Sequence, residues 1–158
     1  MITLIDTGLL DSVSAEARAN PRQRRNRNFH GADDFPCHRL LNAIEPGSYV
    51  TPHRHLAGDK DETMVVIRGR LGLVTFADDG QPLEKVLLGP ATSRSGVDIA
   101  HGTWHTVFAL DRGTVFFEAK AGPYLPLTPA ELAPWAPPEG APEASDYLAQ
   151  LVKLVEPG

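Results

Sequence analysis

The chain has 158 residues, of which 42% are hydrophobic, with a single cysteine and a formal net charge of −5. This length suits one domain with a real core and is short for two, so we predict a single domain over residues 1–158. The acidic balance gives no overall attraction to nucleic acid or to an anionic membrane, because both require clustered positive charge. Cys37 alone can form neither an intramolecular disulfide nor a thiolate cluster, so any metal site must use nitrogen and oxygen ligands. No basic leader precedes a long apolar run, so we expect a soluble cytoplasmic protein.

Residues 1–34 combine a predicted helix with a basic segment. Within residues 7–19 the apolar side chains follow a helical spacing, and Asn20-Pro21 ends the pattern. The next stretch, "RQRRNRNFH", carries Arg22, Arg24, Arg25 and Arg27 in an otherwise acidic chain. Such a run is most simply a solvated charged face, but guanidinium groups beside a pocket would also bind carboxylate or phosphate.

Residues 35–121 have the pattern of an antiparallel β-structure. Short runs rich in β-branched and aromatic residues alternate with the turn signals "EPG", "RG", "DDG", "GP" and "DRG". The predicted strands are "HRLLNAI", "SYVTPH", "TMVVIRG", "LGLVTF", "EKVLLG", "WHTVFAL" and "TVFFEAK". The fold class is therefore all-β, with a sandwich or barrel as the core.

Residues 122–158 are predicted to form an arm and a terminal helix. The arm, residues 122–142, holds seven of the 14 prolines, so it should be an extended segment on the surface. The helix that follows has Ser145 as a plausible N-cap and an apolar stripe that would pack on the barrel or on a partner subunit. That stripe comprises Tyr147, Leu148, Leu151, Leu154 and Val155.

A candidate metal site lies in "TPHRHLAGDKDETMVVIRG", residues 51–69. On a β-strand, His53 and His55 point to the same face, and Glu62 opens the next strand. His105 follows the Gly102 turn and would supply a fourth ligand from another strand. Three imidazoles and one carboxylate suit one divalent transition metal (Fe, Mn, Ni, Co or Zn) and leave positions open for water or substrate. The alternative is a metal-free polar pocket.

The same residues resemble the two cupin motifs. Gly47, His53-x-His55, Glu62 and Gly69 resemble the first, and "GTWH" ending at His105 resembles the second, although the gap from His55 to Glu62 is two or three residues longer than usual. More narrowly, "RNRNFHGADD", "RLLNAIEPGSYVTPHRH", "KDETMVVIRGRLG", "FFEAKAGPY" and "APWAPPEG" resemble the WbuC family of cupin-fold metalloproteins. This resemblance implies a cupin-type β-barrel (jelly roll) with the metal held by His53, His55, Glu62 and His105. It also implies a bacterial source and an association with surface-polysaccharide synthesis.

Two classes of function remain open from the sequence. The first is a metal-dependent enzyme for a small anionic or sugar-derived substrate, with isomerisation or epimerisation as the expected reaction and Fe(II)-dependent dioxygen chemistry as the alternative. His101 or His30 would move the proton, and the predicted substrate-binding residues are Arg25, Arg27, Arg39, Lys120 and Tyr124. The second class is a non-catalytic, metal-dependent binding or sensor module. Exposed sheet edges and the terminal helix favour a homodimer, with no nucleic-acid or membrane partner.

Overall fold

The computed structural model describes residues 1–156, which form eight strands, two α-helices and one 3₁₀ turn. The helices are α1 (Thr7–Ala19) and α2 (Ala144–Val155), and the 3₁₀ turn covers Pro129–Glu131. The strands are β1 (Arg24–Asn28), β2 (Cys37–Ile44), β3 (Glu62–Arg68), β4 (Leu71–Phe76), β5 (Pro82–Leu88), β6 (Gly96–Ile99), β7 (Trp104–Ala109) and β8 (Thr114–Ala121). None of these helices is long and apolar enough to cross a membrane.

The strands form two antiparallel sheets that face each other. The larger has the order β1-β2-β8-β3-β6, and the smaller has the order β5-β4-β7. Because side chains alternate across a strand, each sheet sends every second residue into the space between them. That core includes Ile44, Met64, Val66, Leu71, Leu73, Leu88, Ile99, Val107, Ala109 and Phe116. The predicted all-β jelly roll with two flanking helices is confirmed, as two separate sheets rather than one continuous hydrogen-bonded cylinder among residues 1–156.

Helix α1 covers the outer face of the larger sheet. Its N-cap is Asp6, whose carboxylate accepts a hydrogen bond from the Leu9 N–H at 3.0 Å, and it ends at Asn20, before Pro21. The buried face of the helix packs on β2 and β8. This outer cluster comprises Leu10, Val13, Ala17, Leu41, Ala43 and Val115. The helix predicted over residues 7–19 is confirmed at both ends.

The proline-rich arm and α2 cover the outer face of the smaller sheet. Leu148 and Leu151 of α2 are buried in a cluster with Val74, Phe76, Trp104 and Phe108. The N-cap of α2 is Glu143, and Ser145 lies inside the helix, so the predicted Ser145 cap was wrong. The apolar face of α2 is thus used within the chain, on the barrel.

Three further local features of the structure differ from what the sequence predicted. The arginine-rich segment, predicted as a solvated run outside the barrel, forms β1, the edge strand of the larger sheet, paired with β2 from Arg24↔Ile44 to Asn28↔Leu40. The segment "SYVTPH" is not a strand; His53 makes only isolated bridges, to His105 and Leu132, because Pro52 interrupts any regular ladder. The short strand β6 was not predicted.

Candidate metal centre

The three histidines are fixed by backbone hydrogen bonds between two separate segments. The His53 N–H donates to the His105 carbonyl at 3.0 Å, and the His105 N–H donates to the His53 carbonyl at 2.9 Å. The Gly102 N–H donates to the His55 carbonyl at 2.7 Å, and the positive φ of Gly102 (78°) allows this turn. The isolated bridge therefore replaces the predicted strand as the element that aims the imidazoles.

Two of the imidazoles have a defined tautomer. Nδ1 of His53 lies 2.9 Å from the Thr51 carbonyl oxygen, and Nδ1 of His105 lies 2.9 Å from the Thr103 carbonyl oxygen. A carbonyl oxygen can only accept, so each Nδ1 carries the proton and each Nε2 keeps a free lone pair. This is the arrangement in which a histidine presents Nε2 to a metal while its other nitrogen is held by the backbone.

Glu62, at the start of β3, lies between His55 and His105. Its Oε1 is 3.1 Å from His55 Nε2, and its Oε2 is 3.1 Å from His105 Nε2. His55 Nε2, His105 Nε2 and Glu62 Oε2 are buried, yet none has a hydrogen bond of acceptable geometry. Ligand atoms of His53, His55 and Glu62 lie within 4.8 Å of one another, and the His53 and His105 ring centres are 4.6 Å apart.

These donors fit a divalent cation. Buried polar atoms are normally paired, so a converging group of unpaired lone pairs is costly without a positive charge among them. Of the four residues predicted as metal ligands, His53, His55 and Glu62 form one converging group. His105 lies beside this group, with its Nε2 3.1 Å from Glu62 Oε2 and its ring centre 6.2 Å from that of His55. Nitrogen and carboxylate ligands of this kind do not select one metal among the predicted ions.

The surroundings keep His53 and Glu62 in the protonation states that a metal requires. Burial disfavours ionisation of Glu62, but His105, His55 and Lys120 outweigh that effect and hold its pKa well below the usual range. Burial, reinforced by the neighbouring His105, lowers the pKa of His53 to about 3. Near neutral pH the histidine is therefore neutral and the glutamate ionised, as metal binding demands.

A cavity of about 190 Å³ lies above this group, between the two sheets. Its polar wall comes from the inner face of the larger sheet and comprises Arg24, Asn26, Asn42, Glu118 and Lys120. Lys120 Nζ lies 2.7 Å from Glu118 Oε1 and 3.1 Å from Glu62 Oε1. Despite burial, these two carboxylates raise the pKa of Lys120 above its usual value, so the lysine stays charged.

The predicted substrate-binding residues divide into two groups. Lys120 and Tyr124 line a second cavity of about 190 Å³ that also contacts His53 and His55. Arg25, Arg27 and Arg39 instead lie on the outer face of the larger sheet, since Arg25 and Arg27 pair with Ala43 and Leu41 of the outer cluster. Arg39 Nη2 donates to the Phe29 carbonyl at 3.4 Å, and the Arg39 guanidinium lies 5.9 Å from the centre of the Phe35 ring.

Neither predicted proton carrier lines the cavity above the candidate ligands. His101 lies on the loop between β6 and β7. Its Nδ1 is 2.8 Å from Asp61 Oδ1, and its side chain is 45% exposed. His30 is buried and stacked on His38, with ring centres 3.9 Å apart, in a neighbouring cavity of about 260 Å³. Lys120 and Tyr124 also line that neighbouring cavity.

Three polar residues of the cavity wall were not predicted from the sequence: Asn26, Asn42 and Glu118. Arg24 was predicted only as one member of the arginine run. Asn42 Nδ2 donates to Glu118 Oε2 at 2.7 Å, so these two residues form part of one polar network with Lys120. The available signal was the spacing of Glu118 and Lys120, which lie two apart on a strand and so must share a face. Their register with β3, Met64↔Glu118 and Glu62↔Lys120, puts that face over Glu62.

The fold resembles those of several solved structures. KdgF from Halomonas sp. matches with 19% identity and a TM-score of 0.50, over 65% of this chain and 82% of KdgF. A conserved protein of unknown function from Streptococcus pyogenes, SPY1581, matches with 10% identity and a TM-score of 0.52, over 79% of this chain and 91% of that protein. Oxalate decarboxylase from Bacillus subtilis matches with 18% identity and a TM-score of 0.43, and the chain spans only 21% of its length.

At these identities the similarity describes the fold alone, a jelly-roll-like arrangement of two sheets, and the histidine–glutamate group is a candidate metal site within that fold. The chain belongs to the family described as a domain of unknown function (DUF6016), whose model matches residues 5–88. That match includes His53, His55 and Glu62 but ends before His105 and Lys120. No curated protein matches the chain. The narrower resemblance to the WbuC family stays a prediction.

Proposed function

We propose that this protein is a metal-dependent cupin that holds one divalent transition metal with His53, His55, Glu62 and His105. The observation that carries the proposal is the buried group of unpaired ligand atoms, His55 Nε2, His105 Nε2 and Glu62 Oε2, facing one another below a cavity. When bound, such a metal would supply a positive charge that polarises a substrate oxygen.

We further propose an enzyme that acts on a small anionic or sugar-derived substrate by isomerisation or epimerisation. Such reactions move a proton, and a general acid–base pair must face the substrate. Glu118 Oε1 is buried in the cavity wall, 2.7 Å from Lys120 Nζ and without a well-formed hydrogen bond. In this proposal the Glu118 carboxylate accepts a proton from the substrate and then returns it to a new position on the same molecule, while the charged Lys120 stabilises the negative charge that develops in between. The resemblance to the WbuC family supports a sugar derivative and a role in surface-polysaccharide synthesis.

A non-catalytic binding or sensor module is the second candidate. One observation favours it: both histidines predicted to carry protons, His30 and His101, lie away from the cavity above the ligands. Glu118 and Lys120 would then only neutralise each other and orient a bound metabolite. Iron in the site would instead favour the dioxygenase alternative.

Elemental analysis of the untagged protein tests the metal. We expect near-stoichiometric metal in the wild type, loss of that metal in a His53→Ala/His105→Ala double variant, and retention in His101→Ala, which changes a neighbouring histidine outside the ligand set. The absence of metal from the wild type, even after incubation with Fe, Mn, Ni, Co and Zn salts, would overturn the proposal.

Glu118→Gln separates an enzyme from a binding module. The substitution keeps the size and one oxygen for Asn42 but removes the base. An enzyme should lose turnover of its sugar-derived substrate while keeping its metal and its affinity for that substrate. A binding module shows no turnover in the wild type, so the variant then changes affinity alone.

The predicted homodimer stays part of this proposal. Because α2 is packed on the barrel, a dimer contact would have to use another surface, such as the edge strand β1. Light scattering of the metal-loaded protein that gives the mass of one chain would reject it.

A further inference from the structure

A larger cavity, of about 560 Å³, lies between the start of β1 and the proline-rich arm. It shares Arg24, Val50 and His53 with the cavity above the candidate metal ligands, so the two spaces adjoin. Its remaining wall is mostly apolar and is formed by the arm. Arg22 and Glu139 are the other charged residues that line it.

A carboxylate already occupies the arginine side of this cavity. Glu139 Oε1 accepts a hydrogen bond from Arg22 Nε at 2.7 Å, and Glu139 Oε2 accepts from Arg22 Nη2 at 2.7 Å. Glu139 Oε2 also accepts from Arg24 Nη2 at 2.8 Å. This is the bidentate geometry with which guanidinium groups recognise carboxylates. The site formed by Arg22 and Arg24 therefore has the geometry of a carboxylate-binding site.

The Arg24 guanidinium is positioned independently of Glu139. Its Nη1 donates to the Tyr49 carbonyl at 3.2 Å and to Ser48 Oγ at 3.4 Å. The Ser48 hydroxyl in turn donates to the Arg22 carbonyl at 2.7 Å. The arginine side chain is only 18% exposed, so it would stay in place when Glu139 leaves.

The arm does not need Glu139 to stay on the barrel. The Tyr49 hydroxyl donates to the Pro137 carbonyl at 2.7 Å, and the Ala133 N–H donates to the Pro52 carbonyl at 3.0 Å. The Trp135 ring packs against Phe76 and against Gly80, where a Cβ would meet it at 2.7 Å. Glu139 follows these anchors, so its side chain can move while the arm stays seated.

We propose that Arg24, assisted by Arg22, is a subsite for a carboxylate ligand beside the metal centre, and that Glu139 is a resident carboxylate which that ligand displaces. This inference rests on the proposed function and names the chemical class of its substrate. The ligand would carry a carboxylate at the Arg24 end and an oxygen at the end nearer His53. The cavity of about 190 Å³ above the candidate metal ligands has the volume that on the order of six waters occupy in the liquid. Only a small molecule fits there, unless it extends into the larger cavity beside the arm.

The test is calorimetric titration of malonate into the metal-loaded wild type, Glu139→Gln, Arg24→Gln and Arg25→Gln. Glu139→Gln should tighten binding by about tenfold, because it removes a tethered competitor with a local concentration in the millimolar range. Arg24→Gln should weaken binding by about tenfold or more, because charge-assisted hydrogen bonds are lost. Arg25→Gln is the matched control on the outer face and should leave binding unchanged.

Three results would overturn the inference. In the first, Arg24→Gln binds malonate as tightly as the wild type, which would mean that the anion contacts the metal alone. In the second, Glu139→Gln lowers the unfolding temperature without tightening malonate binding, which would make Glu139 a structural link to the arm. In the third, inorganic phosphate binds as tightly as malonate with the same response to the variants, which would remove the assignment to carboxylates. If Glu139→Gln does not fold, Glu139→Asp serves in its place, because the shorter side chain weakens the same pairs.

Metal content measured on the same samples separates the two proposals. A wild type that takes up no metal, but binds malonate in an Arg24-dependent manner, would end the metal-dependent function and leave the carboxylate subsite standing. A metal-loaded wild type that binds malonate no more tightly than Arg24→Gln would end the carboxylate subsite and leave the metal-dependent function standing.

Discussion

The two faces of the larger sheet are made by the same strands but have opposite characters. On the inner face, Glu62, Glu118 and Lys120 lie together in a polar wall beside the candidate metal ligands. On the outer face, Leu41 and Val115 pack beneath α1. A shift of one residue along a strand moves a side chain from one environment to the other. The comparison shows that the face to which a strand residue points, more than its residue type, decides whether it belongs to the site.

The charged pairs on the two faces also differ. On the inner face, Lys120 is paired with two buried carboxylates, so removal of one partner would leave charge in a poorly solvated place. On the outer face, Arg25 and Glu16 form an ion pair in which both side chains are more than half exposed. Exposed pairs of this kind contribute little to stability. Substitutions on the inner face should therefore change metal or ligand binding, and those on the outer face only stability.

The largest effect is expected for Glu62→Gln on the inner face. It removes the single anionic ligand, so metal affinity should fall by more than about 100-fold, beyond the loss usual for residues that only support a ligand. Competition with a chelator would measure the change, and Glu84→Gln, an exposed glutamate on β5, is the control. Unchanged affinity in Glu62→Gln would remove Glu62 from the ligand set.

On the outer face, Leu41→Ala should destabilise the fold while leaving the metal site intact. Leu41 is fully buried beneath α1, and large-to-small substitutions of this kind cost about 2–5 kcal/mol. Urea denaturation would measure the loss, with Leu83→Ala, at an exposed leucine, as the control. Loss of metal from a folded Leu41→Ala protein would contradict the separation of the two faces.

Acid should destabilise the metal-free protein through the inner side of the barrel. Because the pKa of His53 falls from 6.5 to about 3 on folding, the unfolded chain binds a proton between these values and the folded chain does not. Stability should therefore rise with pH across that window, by up to about 1.4 kcal/mol per unit. Denaturation at pH 5 and pH 7 should show this slope in the wild type and a smaller one in His53→Gln. An equal slope in both would assign the effect to other groups.

The smallest effect is expected for Arg25→Gln. It breaks the exposed pair with Glu16, so the free energy of unfolding should change by less than about 0.5 kcal/mol. Urea denaturation would measure it, and Arg27→Gln, on the same face of β1, gives a second value for comparison. A loss above about 1 kcal/mol would show that the outer arginines have a structural role that their exposure does not indicate.

The sequence predicted the histidine–glutamate group because its signals are local. His53-x-His55 and the "GTWH" turn each position their imidazoles within a few residues, so the group could be predicted even though the strand assigned to His53 was wrong. The helix at residues 7–19 was predicted for the same reason, since Asp6, the apolar spacing and Pro21 are all nearby.

Local sequence signals could not predict which face of the sheet each arginine lies on. "RRNRN" has no β-propensity, and it becomes a strand only by pairing with β2 after Gln23, whose φ of 56° turns the chain into the sheet. Without that strand there was no basis for placing Arg24 inside and Arg25 outside. Glu139 was missed as well, because it meets Arg22 and Arg24 across more than 110 residues of sequence.

Because the proline-rich arm packs on the barrel, it brings two tryptophans together as a spectroscopic reporter. The chain's two tryptophans, Trp104 on β7 and Trp135 in the arm, lie with ring centres 6.1 Å apart and nearly perpendicular to each other. Fluorescence and near-ultraviolet circular dichroism of the unlabelled protein will therefore be dominated by this pair. A ligand that displaces only the Glu139 side chain would leave both signals nearly unchanged, whereas one that lifts the arm would alter both.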